Sequence, residues 1–104
     1  MDTADFAAVQ DQLEAFCHRW HVRELALFGS ALRDDFTPHS DVDVLITFHD
    51  DVQWSLLDHA TMQHELASLL GRPVDLVSRR GLERSRNWLR REEILRTART
   101  LIAA

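Results

Sequence analysis

The stretch Arg23-Glu24-Leu25-Ala26-Leu27-Phe28-Gly29-Ser30, followed after ten residues by Asp41-Val42-Asp43-Val44-Leu45-Ile46-Thr47-Phe48, decides how this chain is read. Residues 23–28 form a short, mostly apolar run of strand length that stops at a glycine. Gly29 has no Cβ, so it can take a positive φ and let the backbone approach a bulky anion closely. Ser30 adds a hydroxyl donor. Ala31-Leu32-Arg33 reads as the start of a short helix whose unpaired N–H groups favour a phosphate, with Arg33 near the same anion.

The second half of the stretch is rich in β-branched residues, and strand period two puts Asp41 and Asp43 on one face. Two like charges at the start of a strand repel, a cost that a bound cation removes. Magnesium prefers hard oxygen ligands, commonly one or two carboxylates plus substrate phosphates. A pair of such ions can stabilise both the attacking and the leaving oxygen of an in-line displacement. A third carboxylate, Asp75, sits inside the apolar run Pro73-Val74-Asp75-Leu76-Val77, where an idle charge would be costly. Beside Asp41 and Asp43 it could orient and deprotonate an acceptor hydroxyl.

With Gly29-Ser30, Arg33, Ser40-Asp41-Val42-Asp43 and Val74-Asp75-Leu76-Val77, the chain resembles the DNA polymerase beta-like nucleotidyltransferase superfamily, in particular its minimal nucleotidyltransferase (MNT) antitoxins. The motifs span roughly residues 22–80 and their spacing fits without a gap. The resemblance implies a small α/β (α+β) nucleotidyltransferase fold, with a mixed sheet packed by helices. It implies Asp41, Asp43 and Asp75 as ligands of two Mg²⁺ ions, Asp75 also as the base that activates the acceptor, and Gly29, Ser30 and Arg33 as contacts of the ATP triphosphate. It further implies transfer of AMP from ATP to a tyrosine hydroxyl of a cognate HEPN-domain ribonuclease toxin, which silences the toxin. Two other classes stay open: an antitoxin that neutralises by stoichiometric binding alone, and a transferase acting on a small molecule or an RNA end.

Length and composition fit this reading. The chain has 104 residues, which suits a single domain over 1–104, and 45% hydrophobic content is ordinary for a globular protein. The lone Cys17 cannot form an internal disulfide and reads as a buried structural thiol beside Phe16 and Trp20, as expected of a reducing compartment. The start Met1-Asp2-Thr3-Ala4-Asp5 is acidic and no apolar run approaches membrane-spanning length, so the expected location is the cytoplasm, with no membrane association.

Charge is unevenly placed. Residues 1–75 carry 14 Asp or Glu against 4 Arg, whereas residues 76–104 carry 3 Glu against 8 Arg, within a net charge of −5 and with no lysine anywhere. An acidic bulk argues against stable DNA binding, which rests on neutralising phosphates. Arg79, Arg80, Arg84, Arg86, Arg90 and Arg91 follow Asp75 closely enough to approach the nucleotide, an acidic partner surface or RNA, or they are a solvated helix face.

Apolar spacing predicts a first amphipathic helix over 5–20, strands at 23–28 and 42–48, a helix over 53–70 ended by Gly71 and Pro73, a strand at 73–77 and a C-terminal helix over about 83–102. Asp50-Asp51 reads as a loop leading to a helix start, and Trp54 and Trp88 as core or interface residues. His18 and His21 are three apart, but no further ligand stands at zinc-site spacing.

Overall fold

Residues 42–48 alternate Val42, Val44 and Ile46 on one side with Asp43, Leu45 and Thr47 on the other, the pattern of a central strand covered on both faces. The computed structural model, which describes residues 3–32, 41–50 and 52–103, forms that strand as β2 (Val42–Phe48). β1 (Val22–Phe28) pairs antiparallel with it, β3 (Val74–Ser78) pairs parallel with it, and β4 (Arg99–Ala103) runs antiparallel along β1. The result is a mixed four-stranded sheet in the order β3-β2-β1-β4.

The first helix divides in two. Thr3–Val9 winds as a 3₁₀ helix and α1 (Gln10–Arg19) continues from it, placing Leu13, Phe16 and Cys17 in the core. The crossover from β2 to β3 is α2 (Leu56–Leu70), which begins three residues later than apolar spacing alone predicts. Its start is set by a capping box: Ser55 accepts from the Asp58 N–H at 3.1 Å, and the Asp58 carboxylate accepts from the Ser55 N–H at 2.9 Å. Gly71, at φ 69°, closes the helix in the left-handed region.

α1 and α2 cover one face of the sheet, where Leu25, Leu27, Val42, Val44, Ile46, Met62 and Leu66 are buried. Each such side chain contributes roughly 1.5–3 kcal/mol of burial. A smaller core lies on the other face, where Leu82 of α3 (Arg79–Glu83) and Ile94 of α4 (Trp88–Thr97) pack on Ala26, Phe28 and Leu45. Trp20 and Trp54 meet edge to face at 5.1 Å, and the Trp54 indole N–H donates to the Trp20 carbonyl at 3.1 Å. The Trp20 indole donates to Glu65, which Arg19 also engages, so this corner ties α1 to α2.

The C-terminal region corrects the expected helix over 83–102. It divides into α3, α4 and then β4. Asn87 caps α4 by accepting from the Arg90 N–H at 3.1 Å, and Arg91 donates to the carbonyls of Glu83 and Ser85 at 3.3 Å, which fixes α4 against the end of α3. Beyond Thr97 the backbone turns extended because Leu25 and Leu27 have a free sheet edge that Ile102 and Arg99 fill. Trp54 is half-buried and packs against the core, whereas Trp88 is 59% exposed.

Candidate active site

The antiparallel β1–β2 ladder and the parallel β2–β3 ladder bring the end of β1 and the starts of β2 and β3 to one edge of the sheet. Phe28 pairs with Asp43, so Gly29 leaves the sheet directly beside that carboxylate. Asp43 in turn pairs with Asp75, and laterally paired residues of parallel strands project on the same face. The Val42 N–H donates to the Pro73 carbonyl at 2.9 Å, which locks the two carboxylate-bearing strands together at this end. Asp41 stands immediately before β2, two residues from Asp43. Asp43 is half-buried, and Asp41 and Asp75 are exposed.

Gly29 has φ 60°, and a Cβ built on it would lie 2.6 Å from Asp43 Oδ2. Both facts demand glycine: the backbone conformation is one that L side chains rarely adopt, and the space belongs to the carboxylate. Gly29–Leu32 is a single 3₁₀ turn where a helix was expected. Four residues of that kind carry little helix dipole, so an anion at this turn would be held by close approach to the Gly29 and Ser30 backbone. Arg33 lies outside the described residues, as do Ser40 and the loop Thr37-Pro38-His39.

α4 closes the site from the side. Arg90, Glu93, Ile94 and Thr97, spaced along one helix face, join Phe28, Gly29 and Asp43 around a cleft of about 300 Å³. Arg90 thus faces the glycine turn and Asp43 from the opposite wall. Its charge was legible within the arginine run, but its position depends on the Asn87 cap and the Arg91 tether. Glu93 and Thr97 were not singled out in sequence; their i, i+3, i+7 relation to Arg90 was the available signal. Asp41 and Asp75 stand outside the lining of this cleft.

The donor set is all oxygen, which suits magnesium rather than zinc. Among the described residues, no three His, Cys, Asp or Glu side chains are grouped tightly enough to hold a metal by themselves. The three aspartates expected to hold two Mg²⁺ ions are therefore not drawn into one trio among the described residues; Asp43 and Asp75, in register on adjacent strands, are the two that the ladder pairs. The fit rests on Asp43 pressed against a glycine, with Asp75 in register beside it. At the far side of the molecule His18, His21 and His49 line another cleft, of about 530 Å³, again without a described metal-holding trio.

Residues 9–101 match the nucleotidyltransferase domain family. The protein adenylyltransferase MntA of Thermococcus cleftensis is 40% identical over 65 residues, a stretch covering 62% of this chain and 64% of that relative, so the chain matches less than two thirds of that relative's length. A solved structure assigned as a minimal nucleotidyltransferase is 35% identical, covers 94% of both chains and superposes with a TM-score of 0.64. At 18% identity, a chain from the complex of tri-AMPylated Shewanella oneidensis HEPN toxin with MNT antitoxin shares the fold, with a TM-score of 0.61 over 93% of this chain and 71% of that one. The glycine turn, the paired strands that carry the aspartates and the match across nearly the whole chain agree: it belongs to the nucleotidyltransferase domain family.

Proposed function

We propose that this protein is an antitoxin that transfers AMP from ATP to a hydroxyl, expected to be a tyrosine, of a HEPN-domain toxin and thereby neutralises it. The observation that carries the reading is Gly29 turning at positive φ against Asp43, with Asp75 paired to Asp43 on the next strand. Support comes also from the adenylyltransferase name of the Thermococcus relative and from the AMPylated toxin in the Shewanella complex.

In this reading Gly29 and Ser30 bring backbone N–H groups to the triphosphate, and Arg90 approaches it from α4. Asp41, Asp43 and Asp75 are the residues that would hold two Mg²⁺ ions. When bound, these would neutralise the phosphates and the departing pyrophosphate. Asp75, exposed on the open edge of the sheet, accepts the proton of the incoming hydroxyl. A bond forms between the acceptor oxygen and the α-phosphorus while the bond to the pyrophosphate bridging oxygen breaks, so the products are an AMP ester and pyrophosphate. The ATP requirement and the free thiol of Cys17 fit a cytoplasmic setting.

Intact-mass measurement of a HEPN-domain toxin incubated with the protein, Mg²⁺ and each nucleoside triphosphate tests the reading. Whole AMP increments with ATP, abolished by Asp43→Asn in a variant that keeps its fold, are expected. A stable complex with no mass gain would replace transfer by neutralisation through binding alone.

A further inference from the structure

A third cleft, of about 350 Å³, opens at the other end of β2, where Arg23, Arg79, Arg80 and His59 face two carboxylates, Asp50 and Glu83. We propose that this cleft is a separate anion site that takes the phosphoryl group of a small phosphomonoester. Arg79 and Arg80 open the arginine-rich C-terminal segment, and the fold brings Arg23 to them from the acidic part of the chain, so three guanidinium groups meet in one cleft. The cleft also has the size range of small-ligand sites and lies beyond the carboxyl ends of the parallel pair β2 and β3, the end of an α/β sheet where ligands commonly bind.

The three arginines are held differently. Arg79 Nε donates to Thr47 Oγ1 at 3.0 Å, which fixes it as a wall of the cleft, while its Nη2 makes only a long 3.5 Å contact with Glu24. Arg23 makes a loose 3.5 Å contact with Asp50, whose side chain is 91% exposed, and can exchange that partner for a better acceptor. Arg80 is exposed. A planar guanidinium pairs with two phosphate oxygens at once, which a carboxylate at 3.5 Å does not exploit. His59 donates from Nε2 to the Leu76 carbonyl at 2.8 Å, which orients its ring at the cleft wall. The site is distinct from the aspartate edge: Thr47 is four residues along β2 from Asp43, roughly 13 Å at strand rise.

Amide chemical-shift titration of the whole protein with AMP, inorganic phosphate and adenosine tests the proposal. AMP and phosphate should move the Thr47, Ser78 and Arg80 amides, and adenosine should not. Arg80→Ala and Arg23→Ala should each weaken that response about tenfold with the rest of the spectrum unchanged, and Arg80→Lys should restore part of it. The proposal falls if AMP moves only residues around Gly29 and Asp43, if adenosine alone reproduces the shifts, or if the arginine variants respond like the parent. Because Asp43 takes no part, the same titration on Asp43→Asn separates this site from the transferase reading: the Thr47 and Arg80 response should persist.

Discussion

Gly29 is where conformation and chemistry meet in one residue. Its φ of 60° disfavours any side chain, and the 2.6 Å separation between a built Cβ and Asp43 Oδ2 would force the carboxylate to move. Gly29→Ala should therefore cost about 1–2 kcal/mol from the backbone alone. Its effect on AMP transfer should exceed its effect on stability, because the displaced group is Asp43. Paired thermal melts and transfer rates would check this; a melt shift with unchanged transfer would mean that the turn only shapes the loop. The placement of Gly29 at the end of β1 and of Asp43 on β2 was legible in sequence, since a strand-length apolar run that stops at glycine and a period-two carboxylate pair are local signals. The wall supplied by Glu93 and Thr97 was not, because nothing local says that α4 packs over Gly29.

Among the elements, legibility followed the range of the forces. α2 carried its own stop in Gly71, and β1, β2 and β3 could be read from apolar runs of strand length. β4 was hidden, since Ile94, Leu95, Ala98, Leu101 and Ile102 continue a helical spacing and only pairing with β1 makes residues 99–103 extended. The start of α2 was also misplaced, although Ser55 and Asp58 have capping-box spacing. Ser55→Ala removes the acceptor for the Asp58 N–H and should lower stability by about 1 kcal/mol. Chemical denaturation would read this as a lower midpoint at unchanged slope. Ser55 also lines the arginine cleft, so the same variant in the phosphate titration shows how far that cleft depends on the capped helix end.

For the molecule as a whole, composition sets up an unusually clean titration. The chain has no lysine and no tyrosine, and arginine stays charged, so Cys17 is the side chain that titrates in moderately alkaline solution. Burial, with a smaller contribution from Glu14, pushes its thiol up from 9.0 to about 11. A group whose folded pKa is raised adds stability that is complete below its unfolded pKa and is lost as pH rises through the folded value. Stability should therefore decline between about pH 9 and about pH 11, and Cys17→Ala, less stable overall because of the cavity, should lack that decline. Equilibrium unfolding across this window would decide it. The same burial predicts slow alkylation of the native thiol at neutral pH.

β2 is the strand with a parallel neighbour on one side and an antiparallel neighbour on the other. That asymmetry lets the exit of one strand and the entrances of two others share a single rim, although Gly29 and Asp75 are far apart along the chain. The intervening helical crossover carries the chain from one end of the sheet back to this rim. What the rim senses is the seating of α2, because Gln63 accepts from the Leu76 N–H at 3.0 Å and so anchors the strand that carries Asp75.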